Sequence, residues 1–230
     1  MTAFKRARME EGFTLAELLV ACAVIAFVMA GLLGMLQSGQ QSYLVGSHKV
    51  EAQQTARLAI DRLVQEIRNG GFCPTCANSG VTPFNAITPQ TGSALSASSF
   101  VIQNDWNGTW DGSSGISASG TVNYTVMDAG GTVTTTQRGE RIIYAYNSGA
   151  GTLTRQEIGV DNTAVTVASG INSLTFLYLD SSGATTTTPA NARTVVIALT
   201  TQPAAQGAST STGKVLVTMT DSVRLRNRQN

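Results

Sequence analysis

The stretch that decides the fold is GFTLAELLVACAVIAFVMAGLLGML, residues 12–36, near the start of the chain. From Leu18 to Leu36 it contains 19 consecutive residues without a charged or strongly polar side chain. An uninterrupted apolar run of about 18 residues or more is long enough to cross a bilayer as a helix. The sequence therefore predicts one membrane-spanning helix near the N-terminus of this 230-residue chain.

One carboxylate, that of Glu17, lies at the front of the apolar run. An ionisable side chain at bilayer depth costs roughly 3 kcal/mol, so its presence usually indicates a function. Gly12 separates the run from a short leader that carries the charges of Lys5, Arg6, Arg8, Glu10 and Glu11. A charged leader, a glycine and an apolar helix with a single carboxylate near its start form a combined pattern that is rare by chance.

This arrangement resembles the leader of type IV prepilins and of type II secretion pseudopilins. In that family a glycine precedes phenylalanine, and glutamate is the fifth residue after the glycine. The resemblance implies cleavage by a prepilin peptidase between Gly12 and Phe13, and N-methylation of the new Phe13 amine. It also implies filament assembly with other pilins or minor pilins through the apolar helix, with Glu17 as the assembly residue. The remaining partners that it implies are the membrane and the inner-membrane assembly platform.

Two other kinds of N-terminal signal compete with this interpretation. A cleaved secretory signal has an apolar segment of about 7–15 residues, which is shorter than the run here, and it leaves Glu17 unexplained. The sequence Leu19-Val20-Ala21-Cys22 is similar to a lipoprotein signal. That signal would place Glu17 inside its apolar segment and leave a long apolar stretch after the lipidated Cys22. The prepilin interpretation has neither difficulty.

The charge distribution predicts where the chain lies. Basic residues before an apolar segment keep that end in the cytoplasm, so we expect a single-pass inner-membrane protein whose C-terminal domain is in the periplasm. The resemblance then implies a pilus or pseudopilus at the cell surface. Without residues 1–12 the acidic and basic side chains are equal in number. The sequence therefore gives no strong nucleic-acid signal.

The three cysteines and the single histidine limit the chemistry of the chain. Cys22 lies in the apolar run, whereas Cys73 and Cys76 form a CxxC pattern in an oxidising compartment, where a local disulfide is expected. His48 is the only histidine, which leaves no convincing Ser-His-Asp, Cys-His or zinc arrangement. The sequence predicts no metal, no cofactor and no enzymatic activity. Residues 104–112 resemble a calcium loop only superficially, because Trp110 replaces the required glycine.

The pattern after the apolar run predicts an α+β, pilin-like fold, with a long N-terminal helix packed on a C-terminal antiparallel sheet domain. The expected divisions are a leader at 1–12, a transmembrane and filament-core helix at 13–36, an amphipathic continuation at 37–71 and a β-rich domain at 72–230. Ala56, Ile60, Leu63 and Ile67 recur at helical spacing, and Gly70-Gly71 predicts the helix end. Alternating or β-branched runs predict nine strands, at 99–103, 122–127, 132–136, 141–146, 152–158, 164–168, 173–179, 193–200 and 214–225.

A long helix followed by these strands resembles the larger minor pilins of the PilW type and the J-type pseudopilin of type II secretion. The resemblance implies a structural role in priming, tip formation or assembly of a type IV pilus, and through it in adhesion, twitching motility or DNA uptake. A J-type minor pseudopilin is the alternative within the same class. A membrane-anchored exported adhesin or binding domain is the alternative from a different class.

Overall fold

The computed structural model describes residues 12–73, 84–106, 122, 125–127, 133–136, 138–203 and 215–227. The chain divides into two compact units, Met1–Ser47 and His48–Asn230. The secondary structure consists of a helix and antiparallel strands, which confirms the predicted α+β, pilin-like class.

Helix α1 spans Leu15–Asn69 and belongs to both units. In the first unit every described residue is exposed. In the second unit one face of the helix is buried against the sheets, and it consists of Ala52, Ala56, Ala59, Ile60, Leu63 and Ile67. The predicted apolar stripe is thus confirmed, and it begins one turn earlier than the sequence indicated.

The helix ends where the two glycines predict. Gly71 has a φ of 82°, a left-handed conformation that glycine adopts without penalty. Its N–H donates to the Gln103 carbonyl oxygen over 2.8 Å. A Cβ at Gly71 would overlap the Asn227 carbonyl oxygen. The glycine therefore stops the helix and lets three backbone segments meet closely.

Ten strands follow the helix in the described residues. They are β1 (Ile87–Thr88), β2 (Ser99–Gln103), β3 (Thr125–Met127), β4 (Val133–Thr136), β5 (Arg141–Asn147), β6 (Thr152–Glu157), β7 (Val165–Ala168), β8 (Ile171–Leu179), β9 (Thr194–Thr201) and β10 (Val217–Arg224). A 3₁₀ turn at Pro189–Asn191 precedes β9.

The strands form two larger antiparallel sheets and a small hairpin. The first sheet has the order β1-β2-β5-β6-β7, the second has the order β10-β9-β8, and β3 pairs with β4. Although β7 and β8 follow each other closely in the chain, they belong to different sheets. Gly170, at a φ of 70°, lies between them and allows the change of direction.

The core of the second unit lies between the buried helix face and the two sheets. Phe100 on β2 stacks with Tyr144 on β5 at a ring-centroid distance of 5.8 Å, and meets Phe176 on β8 edge to face at 4.7 Å. Both larger sheets therefore contribute aromatic rings to one core. Leu63 and Ile67 on the helix belong to the same cluster.

One strand was not predicted, and one predicted strand is described only in part. The two residues of β1 were not predicted, because so short a segment has no period of its own and exists only through its pairing with Ile102 and Val101. Of the strand predicted at 122–127, the structure describes Thr125–Met127 as β3 and Val122 as a single bridge residue, while residues 123 and 124 lie outside the described residues. The Val122 N–H donates to the Gln103 side-chain oxygen over 3.1 Å.

An ion pair joins the helix to the first sheet. Arg155 Nε on β6 lies 3.0 Å from Glu66 Oε1 on the helix, and their side chains are 17% and 21% exposed. Burial opposes the charge of Arg155, but the Glu66 carboxylate raises the pKa of this guanidinium above its ordinary value. Burial, followed by the same carboxylate, raises the pKa of the Tyr144 hydroxyl. Arg155 therefore neutralises a carboxylate that would otherwise be costly to bury.

Arg155→Met should lower the free energy of unfolding by about 2 kcal/mol, because Glu66 would keep its partial burial without this partner. The matched control is Arg62→Met. Arg62 Nε also lies 3.6 Å from Glu66 Oε1, but its side chain is 49% exposed, and such a pair contributes less than about 0.5 kcal/mol. Urea unfolding of the detergent-solubilised full chain measures both variants. Equal losses in the two would contradict a special role for Arg155.

Candidate functional site

The candidate site is the first turn of α1, where Thr14 and Glu17 bind each other reciprocally. The Thr14 N–H and the Thr14 hydroxyl both donate to Glu17 Oε2 over 3.0 Å. In return, the Glu17 N–H donates to Thr14 Oγ1 over 3.3 Å. The Leu18 N–H donates to the Thr14 carbonyl oxygen over 3.2 Å. Thr14 is thus the N-cap residue and Glu17 the third helical residue of a capping box.

The capping box explains how a carboxylate is accommodated at the start of an apolar helix. The first N–H groups of a helix have no intrahelical partner, and they create a partial positive charge at its N-terminus. Glu17 lies within this favourable field and accepts two hydrogen bonds from Thr14. The carboxylate is thereby held at one defined axial position along the helix, close to the predicted cleavage point.

The helix behind this turn presents an unusual amount of apolar surface. Between Leu15 and Val45 its large hydrophobic side chains are exposed, for example Phe27 at 84% and Met35 at 77%. An 18-residue window of this helix has a mean hydropathy of 2.7, so by length and composition the helix can cross a membrane. Soluble monomers rarely expose a contiguous apolar patch of this extent. The surface therefore requires lipid or neighbouring protein to cover it.

Gly12 precedes the capping box, and the described residues leave open space around it. A Cβ built at Gly12 meets nothing within 4 Å. Phe13, the next residue, is 87% exposed. In the part of the chain that the structure describes, no packing contact therefore explains why this position is a glycine.

Residues 7–33 match the family model described as the prokaryotic N-terminal methylation motif. This match indicates a type IV prepilin-like protein. The match covers the second half of the leader, the predicted cleavage point, the capping box and most of the apolar run, as far as residue 33. No curated protein and no solved structure matches the chain.

The prepilin motif is the recognised substrate site of prepilin peptidase, which supports this partner for the chain. The apolar helix fits the single-pass inner-membrane anchor of a prepilin. Among the predicted site residues, the structure brings Glu17 into contact with Thr14, while the leader before Gly12 lies outside the described residues. Cleavage after Gly12, methylation of Phe13 and the assembly role of Glu17 stay predictions.

Thr14 is a site residue that the sequence interpretation missed. That interpretation considered Glu17 only as the residue for filament assembly. The spacing Thr14-Leu15-Ala16-Glu17 fits the capping-box pattern, in which threonine is followed three residues later by glutamate. The capping-box pattern was therefore recognisable in the sequence, but the role of Glu17 as a helix cap was not considered.

The cysteine pattern lies at the other end of the helix. Cys73 is half-buried and takes part in a disulfide, and its Sγ lies 3.5 Å from Asp105 Oδ2. Cys76, the predicted partner, lies outside the described residues, so the Cys73–Cys76 pairing stays a prediction. Cys22 is free and exposed on the helix.

The superficial calcium pattern does not form a metal site in the part that the structure describes. Asn104 is buried and donates its side-chain N–H to the Gly139 carbonyl oxygen over 2.9 Å. Asp105 is also buried, beside Cys73. Residues 107–112 of that pattern lie outside the described residues. In the described ranges no group of three or more metal-binding side chains comes together.

Proposed function

We propose that this chain is a minor pilin, a structural subunit that acts in priming, tip formation or assembly of a type IV pilus. The observation that carries the proposal is the exposed apolar helix with Glu17 held at its first turn by Thr14. A simple membrane anchor needs the apolar surface, but a carboxylate lowers its affinity for the bilayer. A filament subunit must align with its neighbour at one axial position. The carboxylate offers a specific polar contact for that alignment.

The second unit supports a structural rather than a catalytic role. Two of its partly buried charges, Arg155 and Glu66, bind each other between the helix and the sheet. The single histidine, His48, is on the helix. We therefore propose that the chain is not an enzyme and that its partners are other pilins and the inner-membrane assembly platform.

Fractionation of cells that produce the full chain tests this proposal. We expect the chain in filaments sheared from the cell surface, at a small molar fraction of the most abundant subunit. Deletion of its gene should reduce the number of surface filaments at least tenfold by electron microscopy. An inner-membrane protein without a pilin helix, absent from the sheared fraction, is the control for contamination.

Two outcomes would contradict the minor-pilin proposal, and each points to one alternative. Unchanged filaments with a loss of protein secretion would favour the J-type pseudopilin. Unchanged filaments and unchanged secretion, with all of the chain in the membrane fraction, would favour an anchored adhesin or binding domain.

A further inference from the structure

The outer edge of β10 differs from the other sheet edges in the part of the chain that the structure describes. In the second sheet, β10 has a neighbour on one side only. The opposite edge, β8, is covered, because the Phe176 N–H donates to the Ala97 carbonyl oxygen and the Thr186 N–H donates to the Tyr178 carbonyl oxygen. In the first sheet the edge strand β1 has two residues, and β7 has four with an irregular register. Short, irregular or covered edges are the usual protection against unwanted pairing.

By contrast, β10 is long and regular. Its eight residues, Val217–Arg224, pair with β9 without a register shift. The strand contains no proline and no lysine, two residues that commonly protect an edge. A strand of this length and regularity can template a further strand.

The hydrogen-bond pattern identifies which backbone groups of β10 point outward. The Leu225 N–H donates to the Arg193 carbonyl oxygen on the β9 side. In an antiparallel pair such bonds alternate along the strand, so the odd-numbered residues of β10 bond to β9. The outward N–H and C=O groups are then those of Thr218, Thr220, Ser222 and Arg224.

The contact of Ser222 agrees with this assignment. Its N–H donates to the neighbouring Asp221 side chain over 2.7 Å instead of to β9. Among the described residues, no backbone group bonds to the outward N–H groups of Thr218, Thr220 or Arg224. Asp221 thus shields one outward N–H, and the other three have no backbone partner in the part of the chain that the structure describes.

A groove runs beside this edge on the helix side of the sheet. It has a volume of about 440 Å³ and is lined by the helix residues Val50, Gln53, Gln54 and Arg57 and by Val217, Thr218 and Met219 on β10. The Thr201 hydroxyl donates to the Ala52 carbonyl oxygen over 2.8 Å, which fixes the helix against the sheet next to the groove. Arg57 is exposed and forms no ion pair within the described residues.

These features define the chemistry of an occupant. Only an extended peptide offers N–H and C=O groups at the spacing of the outward groups of β10. Its side chains would alternate between the groove and the opposite face. In the groove they would meet apolar Val50, Val217 and Met219 together with the cation of Arg57. An acidic side chain suits the position beside Arg57, and small apolar side chains suit the others.

We propose that the outer edge of β10 binds an extended segment of another polypeptide by strand addition, with an acidic side chain of that segment directed to Arg57. This interaction goes beyond the role of the apolar helix, because it lies wholly in the second unit. It would join the β-rich domain to a partner independently of Glu17.

Peptide binding to the full chain in detergent micelles tests the proposal. The probe is a fluorescein-labelled peptide Thr-Val-Thr-Asp-Thr-Val, which places valine and aspartate on one face and threonine on the other. Two control peptides have the same side chains but carry N-methyl groups on alternate residues, one peptide in each of the two possible phases. Each control peptide therefore lacks one row of backbone donors. We expect saturable binding of the probe, at least tenfold weaker binding of one control peptide, and at least threefold weaker binding to Arg57→Gln.

Two variants of the chain test the role of the backbone. Thr220→Pro removes an outward N–H and keeps the bonds to β9, whereas Thr220→Val keeps the N–H and changes only the side chain. We expect Thr220→Pro to lose binding at least tenfold and Thr220→Val to bind within twofold of the original chain. Equal binding by all forms, equal loss in both variants, or no binding of the probe would overturn the proposal.

Hydrogen exchange of the unaltered chain tests the proposal even if Thr220→Pro disturbs the fold. In the unaltered chain the amide of Thr220 should exchange fast alone and at least tenfold more slowly with saturating probe. The amide of Met219, bonded to β9, should be protected in both states. Unchanged exchange at Thr220 would overturn the proposal. So would concentration-dependent dimerisation that Thr220→Pro abolishes, since a second copy would then occupy the edge.

Discussion

Gly12→Val should leave residues 1–12 attached to essentially every copy of the chain, whereas the unaltered chain should begin at Phe13. A peptidase that cuts after Gly12 must bring its own groups close to the backbone there, and a branched side chain blocks that approach. The described residues give no other reason for a defect, because a Cβ at Gly12 meets nothing within 4 Å. We therefore expect the fold to be unaffected and the processing to be lost.

N-terminal sequencing of the membrane-extracted protein measures this result. Gly46→Val is the matched control, because a Cβ at Gly46 also meets nothing within 4 Å, and Gly46 lies far along the helix from the cleavage point. It should begin at Phe13 like the unaltered chain. A Phe13 start in Gly12→Val would contradict the role of the glycine. A Cys22 start in the unaltered chain would favour the lipoprotein signal instead.

Local sequence features predicted those parts of the fold that depend on neighbouring residues. The helix end at Asn69 follows from Gly70-Gly71. The hairpin of β5 and β6 follows from two alternating runs around the polar turn after Asn147, whose side-chain oxygen accepts the Gly149 N–H over 3.0 Å. In both cases the determining residues are adjacent in the chain, so a single sequence is sufficient.

Long-range features were not predictable in the same way. The division of the strands into two sheets depends on pairings such as Ser99 with Ala145 and Ile171 with Thr201, which no local period encodes. The ion pair of Glu66 with Arg155 joins residues 89 positions apart. The open edge of β10 is likewise a property of the sheet order and not of the strand sequence. Such features require the assembled structure because several folds satisfy the same local preferences.

One part of the site at the start of the helix was predicted from the sequence, and another part was not. The resemblance to prepilins predicted the importance of Gly12, Phe13 and Glu17, and the family match covers all three residues. It did not predict that Thr14 already binds Glu17. This contact raises a specific question, because a carboxylate can either serve its own helix as a capping group or remain competent to bind a neighbour.

Glu17→Ala should be cleaved and inserted normally, yet its amount in sheared filaments should fall at least tenfold. Cleavage creates a cationic amine at Phe13, and methylation keeps its charge. Pairing of this amine with Glu17 of a neighbouring subunit would neutralise two charges at one axial register only. The attraction between such charges is small in water and considerably larger at low dielectric. Loss of the carboxylate should not impair insertion, because it removes a polar group from the apolar segment.

Thr14→Val distinguishes the capping role of Glu17 from its assembly role. This variant loses the hydroxyl that exchanges hydrogen bonds with Glu17, while the Thr14 backbone N–H that donates to Oε2 is retained at that position. Loss of a cap costs about 1 kcal/mol of helix stability. The free energy gained by burying the apolar surface of a membrane helix is larger than this cost. If Glu17 acts through a neighbour, Thr14→Val should enter filaments within about fivefold of the unaltered chain, since about 1 kcal/mol corresponds to a factor of about five. Equal losses in Thr14→Val and Glu17→Ala would show that Glu17 acts as a cap, and normal incorporation of Glu17→Ala would favour a simple anchor.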